Sequence, residues 1–267
     1  EVHDWQAAFI LAALPGIAMA ALMLSVREPP RQERGQAVAA DAVPLRAVFD
    51  WMVRNAGVLA PVVFGFSIMA ASQFALTSWI PTFFIRTHGM SAENVGYIYG
   101  LYMTVLSTFG IVLGGWIADA LQARGVRGAN LLVPIGAAVL ALPLIVTFPL
   151  VSDPTLALIL VAPLSVLGAV PFGAGTAAIP MVAPNRMRAQ FTALYLLVAN
   201  LIGGGVGPWS VAFVTDTILK DPMLIRYSLA TAPAVLSVLA IIILAFGVRP
   251  IARILEDADA EARSPAP

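Results

Sequence analysis

Long apolar runs separated by shorter polar stretches divide the whole chain. Each run has the roughly 20 apolar residues that an α-helix needs to cross a hydrocarbon core about 30 Å thick. The runs predict seven membrane-spanning helices, at 5–26, 58–85, 95–121, 131–150, 155–182, 191–214 and 224–248. The connections between the later six are short, so neighbouring spans are expected to be antiparallel.

The longest polar stretch follows the first run and begins with REPPRQER at residues 27–34. Its later part, LRAVFDWMVR at 45–54, predicts an amphipathic helix with an apolar and a charged face. The apolar face comprises Leu45, Val48, Phe49 and Met52, and the charged face comprises Arg46, Asp50 and Arg54. Two interpretations stay open: the helix lies along the cytoplasmic lipid boundary, or it is a tether packed under the helix bundle with no regulatory role.

The composition indicates a polytopic membrane protein. Hydrophobic residues make up 60% of the chain and charged residues 11%, with a mean hydropathy of +0.88, which excludes an ordinary soluble domain. The chain has no cysteine, so disulfides, thiolate metal sites and cysteine nucleophiles are excluded. It also lacks the GxSxG and HExxH motifs. We therefore expect no enzyme activity, no metal, no cofactor and no nucleic-acid partner.

The cations are distributed unevenly between the two sides of this topology. Of the 15 lysines and arginines, only Arg86, Lys220 and Arg226 lie on the side away from the REPPRQER stretch. Because cytoplasmic loops carry the excess of Lys and Arg, that stretch and the C-terminus are predicted to be cytoplasmic, in an inner (plasma) membrane protein. All acidic residues fall in loops, tails or span ends, so this chain offers no mid-membrane carboxylate for a proton relay.

Spans two to four and five to seven share a weak pattern. A proline near the end of a span recurs as Pro81 and Pro180, and an aspartate at a span end recurs as Asp119 and Asp216. Because each unit has three spans, the second unit would begin on the opposite side of the membrane, which is an inverted repeat of the kind found in transporters. Chance agreement is the alternative.

Residues 114–119, GGWIAD, followed by Arg124 and Arg127, resemble the glycine-aspartate-basic motif between the eighth and ninth helices of the major facilitator superfamily. The chain departs from the fuller pattern at Ala120, where a basic residue usually follows the aspartate. Residues 78–96 are similar to the end of a seventh helix, and residues 184–208 to the tenth-to-eleventh connection and eleventh helix. The REPPR stretch and residues 214–230 resemble the spinster-related branch.

The resemblance implies an all-α polytopic membrane protein with seven transmembrane helices. Its parts are the last helix of an N-terminal half (1–26), a cytoplasmic central loop with an amphipathic helix (27–56), a C-terminal six-helix half (57–248) and a cytoplasmic tail (249–267). The implied function is secondary transport of a small organic or amphiphilic solute by alternating access, in the lipid bilayer and together with the missing N-terminal half. Proton coupling stays open. The rival interpretation is a seven-span receptor-like protein without transport activity.

Three groups of residues are candidates for function. Polar side chains inside apolar spans need partners or a cavity; Gln73, Tyr102 and Asn200, followed by Tyr99 and Tyr195, are predicted to bind the solute or to form interhelical hydrogen bonds. The resemblance implies a cytoplasmic gate formed by Gly115, Asp119, Arg124 and Arg127. Close helix packing is predicted at Gly110, Gly114, Gly203, Gly204 and Gly207, either against the N-terminal half as a sliding interface or within this half.

Overall fold

A computed structural model describes residues 4–25, 44–184 and 186–263. The REPPR stretch lies outside the described residues. The chain divides into two compact units, residues 1–42 and 43–267. In the first unit, α1 (Asp4–Met23) is an apolar helix with Pro15 inside it. It matches the first predicted span in position, and its crossing of a membrane as a seventh helix stays a prediction.

The second unit is helical throughout its regular structure, and no strand occurs among the described residues. Its helices are α2 (Leu45–Arg54), α3 (Ala56–His88), α4 (Ala92–Leu101), α5 (Ser107–Ala123), α6 (Ala129–Thr147), α7 (Pro154–Val182), α8 (Arg188–Phe213) and α9 (Ile225–Arg263). A π-helical segment, Tyr102–Leu106, joins α4 to α5, and a second one, Val214–Leu219, extends α8. Six stretches of this unit are long and apolar enough to cross a membrane, which confirms predicted spans two to seven.

Local sequence signals set several helix ends. The Asp153 carboxylate accepts the backbone N–H of Thr155 at 2.7 Å, and Pro154 occupies the first turn of α7, a favourable start because proline has no N–H to leave unpaired. Gly89 ends α3 with a φ of +64°. In the short connection between α5 and α6, Gly125 and Gly128 also have positive φ, a conformation that strains residues with a Cβ.

The six spans pack as two equivalent triplets, which we call the first repeat (α3–α6) and the second repeat (α7–α9). Helix α3 packs mainly on α8 and α9, whereas α7 packs mainly on α5 and α6, and α6 and α9 pack on each other. Exchanging α3 with α7, α5 with α8 and α6 with α9 leaves this pattern unchanged. The two repeats therefore interlock. The first helix of each repeat, α3 or α7, packs on the second and third spans of the other repeat.

The repeats run in opposite directions. Gly110 lies against Val166 and Gly114 lies against Val170, so α5 and α7 are parallel. The span formed by α4 and α5 follows α3 after a short turn and packs back on it, so it is antiparallel to α3. Helices α3 and α7 are therefore antiparallel, and the inverted repeat predicted from the sequence is confirmed.

Candidate functional site

A cavity lies where the two repeats meet, between the central parts of α3 and α7. It has about 70 Å³ in which the centre of a water molecule can lie. Its described lining is apolar apart from three types of polar side chain, and no charged residue takes part. The polar lining residues are Ser72 and Gln73 of α3, Tyr195 of α8 and Ser237 of α9. A ligand in this cavity would thus meet hydrogen-bonding groups but no charge.

Gln73 lines the cavity from α3 with a side-chain amide. Its side-chain amide forms no hydrogen bond with any residue that the structure describes, although its backbone carbonyl accepts the Thr77 hydroxyl at 2.9 Å. The amide lies over Gly168 at the middle of α7, where a Cβ would overlap it. The glycine therefore makes the space that the Gln73 amide occupies between the two repeats.

The other polar groups of the cavity differ in how well they are paired. The Ser72 hydroxyl donates to the Pro233 carbonyl at 2.9 Å and lies 2.9 Å from the Ser237 hydroxyl. Since the single Ser72 proton is used by Pro233, Ser237 donates to Ser72. Tyr195 lines the cavity from α8 and is half-buried. The serine pair is thus an interhelical link, whereas Gln73 and Tyr195 are the side chains available to a ligand.

Tyr99 and Tyr102 lie outside the cavity, in the apolar cluster that joins α3, α4, α6 and α9. Tyr99 is buried and interacts with the side chain of Thr77, one helical turn from Gln73. Tyr102 is half-buried at the start of the π-helical segment. Tyr99 therefore lies beside the cavity without lining it, whereas Gln73 and Tyr195 both line the cavity.

Asn200 is exposed on α8 and donates its side-chain N–H to the Leu196 carbonyl of its own helix at 2.8 Å. Gly204, one turn further along, is also exposed. No residue of the cavity contacts Asn200 among the described hydrogen bonds. Its role in solute binding stays a prediction, and it requires a different surface from the one that contains Gln73.

The predicted gate residues lie together at the end of α5 and in the following turn. Asp119, Arg124 and Arg127 are all exposed, and Gly115 is half-exposed two turns before Arg124. Within the described residues, Asp119 forms no ion pair or hydrogen bond with either arginine, whereas the neighbouring Gln122 side chain donates to Asn130 at 2.9 Å. The Asp119 carboxylate is thus open to a partner outside the described unit.

A family model for the Major Facilitator Superfamily matches residues 1–208. The chain belongs to the major facilitator superfamily. It is 29% identical over 219 residues to an MFS-type efflux pump of Mycolicibacterium smegmatis, a match that covers 81% of this chain and 49% of that protein. The chain thus spans about half the length of the curated relative that it matches.

Two solved structures of a bacterial homologue of the human lysosomal transporter Spinster have a similar fold. The inward-facing, unoccupied form matches with a TM-score of 0.59 at 22% identity and covers 100% of this chain and 62% of that chain. The inward-facing, occupied form matches with a TM-score of 0.54 at 21% identity and covers 100% and 61%. The superfamily predicted from the sequence is confirmed, and this membership together with the six apolar spans indicates a multi-pass membrane protein.

The glycines of this superfamily member pack mostly within the second unit. A Cβ on Gly110 or Gly114 would overlap backbone carbonyls of α7, a Cβ on Gly207 would overlap the Ala71 carbonyl of α3, and one on Gly203 would press on the ring of Phe74. The prediction that these four glycines form a sliding interface with the N-terminal half is therefore wrong, because their contact partners belong to the same six helices. Gly204 has open space around it.

Three functional or structural contacts were missed at the sequence level. Gly168 and Gly173 of α7 lie in a run of small residues that gives no periodic signal. Trp79 donates its indole N–H to the Pro208 carbonyl of α8 at 2.9 Å. His88 packs edge-on against Phe83 with ring centroids 5.1 Å apart. Only the contact partners reveal these roles.

Proposed function

We propose that this chain is the C-terminal half of a secondary membrane transporter, together with the last helix of the N-terminal half. The observation that carries the proposal is the cavity between two inverted triplets, with the unpaired Gln73 amide at its centre. Solute sites of inverted-repeat transporters lie near the membrane midplane at the repeat interface. The match to the curated relative covers 49% of that protein, which supports a partner half.

The surfaces of α5 and α8 that face away from α7 and α3 would meet that other half. Their exposed positions include small or polar residues on successive turns: Gly100, Thr104 and Thr108 along α4 and α5, and Asn200 and Gly204 on α8. The two threonine hydroxyls donate to carbonyls of their own helix, so a partner helix can approach without leaving them unpaired. In this arrangement Asn200 lies between the two halves, and Asp119 lies where it can bind a group of the N-terminal half.

The solute that fits this half is neutral and amphiphilic. Apolar side chains dominate the cavity, and its available polar groups are an amide and a phenol, which bind a hydroxyl or carbonyl group but do not compensate a buried charge. The name of the Mycolicibacterium smegmatis relative, an efflux pump, supports export as the direction. A small organic acid or sugar derivative is the second candidate, and it would need its cationic or polar partners from the other half.

The orientation follows from charge. Among the described residues, the arginines of α2, of the α5–α6 turn, of the start of α8 and of the C-terminal part of α9 share one end of the bundle, which we assign to the cytoplasm of a cell with an inner membrane. The C-terminus is then cytoplasmic. If a proton drives transport, its carboxylate belongs to the N-terminal half, since the described lining of this cavity contains no carboxylate and no histidine.

Efflux of the neutral dye Nile red from cells that express the full-length protein tests the proposal. Replacing Gln73 with leucine keeps a similar volume and removes the amide, so we expect efflux to slow about 10-fold, equivalent to about 1.4 kcal/mol. The matched control is Ser67→Ala on the same helix, because the Ser67 hydroxyl bonds only to its own helix at 2.6 Å and lies outside the cavity. Equal efflux by wild type and Gln73→Leu would refute the role of Gln73.

Uptake of radiolabelled lactate and glucose into proteoliposomes separates the solute classes. Transport of either solute without transport of Nile red would replace the amphiphile with the second candidate. If the full-length protein moves none of the three and binds none of them, the transport proposal for this site is lost.

A further inference from the structure

Helix α2 presents three separate faces around its circumference, not the two that its sequence predicts. Val48, Trp51 and Met52 form one face and contact the bundle. Leu45, Phe49 and Val53 recur every four residues on a second face. The third face consists of the charged residues Arg46, Asp50 and Arg54. At 100° per residue these groups occupy adjacent sectors of the helix.

The bundle face fixes α2 to the six-helix unit. Val48 is 0% exposed, and the Trp51 ring packs edge-on against Phe191 of α8 with centroids 5.8 Å apart. Met52 joins the same apolar cluster, which extends to Ile251 of α9. The interpretation of α2 as a tether packed against the bundle is therefore correct for this face.

The second face remains uncovered by the described residues. Leu45 is 65% exposed, Phe49 62% and Val53 60%. Three large apolar side chains in a row on a short helix are unfavourable in water, at about 25 cal/mol for each Å² of apolar surface. Acyl chains next to the bundle would remove this surface from water.

The third face and its surroundings are positively charged. Arg46 and Arg54 are exposed, and within the described residues neither forms an ion pair with Asp50 or with any other acid. The same end of the bundle carries eight exposed arginines and six described acids, four of which lie on the last turns of α9 beyond Arg253, whereas the opposite end carries three cations and four acids. The eight arginines are Arg46, Arg54, Arg124, Arg127, Arg186, Arg188, Arg249 and Arg253, and the six acids are Asp50, Asp119, Glu256, Asp257, Asp259 and Glu261.

We propose that α2 is a lipid-binding helix that inserts Leu45, Phe49 and Val53 into one leaflet and binds the phosphates of anionic phospholipids with Arg46 and Arg54. The order of the faces around α2 supports a lipid partner. The apolar second face lies between the bundle face and the arginines, as expected for a helix at the edge of a bilayer. Anionic lipid headgroups complement the excess of arginine at this end. The bundle face then couples the lipid contact to α8 through Phe191.

Site-specific quenching tests the insertion. The chain has no cysteine, so Phe49→Cys, made in the full-length protein without other cysteines, takes a single fluorescent NBD label. In bilayers of phosphatidylcholine and phosphatidylglycerol, we expect nitroxide lipids to quench this label at least threefold more than the same label at Asp50→Cys, the matched control on the charged face. If aqueous iodide quenches the Phe49 label more strongly than nitroxide lipids do, insertion into the bilayer is refuted. If neither quencher reaches the Phe49 label, Leu45, Phe49 and Val53 are covered by protein and not by lipid.

The same label tests headgroup selectivity. We expect nitroxide phosphatidylglycerol to quench the Phe49 label at least about fivefold more than nitroxide phosphatidylcholine, because each of the two arginines contributes about 1 kcal/mol of attraction to an anionic surface. Arg46→Gln with Arg54→Gln should bring this ratio close to one, whereas Arg46→Lys with Arg54→Lys should retain it. A ratio unaffected by the glutamine pair would refute binding by these arginines. Neither readout depends on transport, so the lipid contact can fail independently of the proposed function.

Discussion

Two helix crossings, α5 on α7 and α8 on α3, hold equivalent positions in the two repeats but are packed differently. In the α5–α7 crossing, Gly110, Gly114 and Gly173 each lie against a backbone carbonyl of the partner helix. In the α8–α3 crossing only Gly207 does so, because Gly203 lies against the ring of Phe74. A backbone carbonyl cannot move without its helix, whereas a ring can change rotamer. The inverted repeat therefore combines a rigid crossing with an adjustable one.

The α5–α7 crossing should give the largest loss of stability. In Gly114→Ala, the new methyl group overlaps the Val170 carbonyl, so the helices must separate over the whole crossing, and we expect the free energy of unfolding to fall by about 3 kcal/mol. Unfolding of the full-length protein by SDS, followed by tryptophan fluorescence, measures the change.

Gly115→Ala is the matched control for this substitution. The adjacent position has nothing within 4 Å of a new Cβ, so alanine should there be neutral or stabilising by up to about 1 kcal/mol through helix propensity. If Gly114→Ala and Gly115→Ala shift the unfolding midpoint equally, the close packing of α5 on α7 is refuted.

The α8–α3 crossing should be less sensitive. Gly207→Ala brings a methyl group onto the Ala71 carbonyl and to 3.1 Å from the Ala75 backbone nitrogen, and because this is the one close glycine contact that we assign to a backbone carbonyl in this crossing, we expect a loss of about 2 kcal/mol in the free energy of unfolding. Gly204→Ala, one turn earlier on the open surface of the same helix, should cause no loss. A larger loss for Gly207→Ala than for Gly114→Ala would reverse the assignment of rigid and adjustable crossings.

Gly203 tests whether the second crossing adjusts through Phe74. The ring atom Cδ2 of Phe74 would lie 2.9 Å from a Cβ at position 203, and Phe74 is 37% exposed, so the ring can move aside. We expect Gly203→Ala to lower the free energy of unfolding by less than about 1 kcal/mol and Phe74→Leu to remove most of that loss. The coupling energy from the double-mutant cycle measures this effect; a coupling of zero would mean that the ring does not contact the substituted position.

The sequence predicts the helices of this protein well because a span must be apolar and long, and both properties are visible in a single chain. The residues of α2 were also predicted, since a helix at a surface shows its faces in its periodicity. The neighbours of each span were not predicted. In a membrane, a lipid-facing leucine and a packed leucine have the same character, so hydropathy does not tell which side of a helix is inside.

The candidate site shows the same limit. Gln73 and Asn200 are both single amides within apolar spans, and the sequence treats them alike. Only the structure separates them, because Gln73 lies over Gly168 between the repeats and Asn200 lies on the exposed side of α8. The Gly168 contact joins residues almost 100 positions apart, and no local pattern indicates a contact of that kind.

The smallest expected effect concerns the other pair of equivalent contacts, α3 on α9 and α7 on α6. Ser72 of α3 bonds across to Ser237 and Pro233 of α9, whereas Ser165 of α7 donates to Val161 of its own helix at 2.9 Å. Ser72→Ala removes an interhelical link and should lower the free energy of unfolding by about 0.6 kcal/mol, while Ser165→Ala should leave it unchanged within error. Ser72 accepts the Ser237 proton, so adding Ser237→Ala to Ser72→Ala should cause little further loss of stability. Fully additive losses would show that the two hydroxyls act separately. The difference between the α3–α9 and α7–α6 contacts would then not depend on the bond between Ser72 and Ser237.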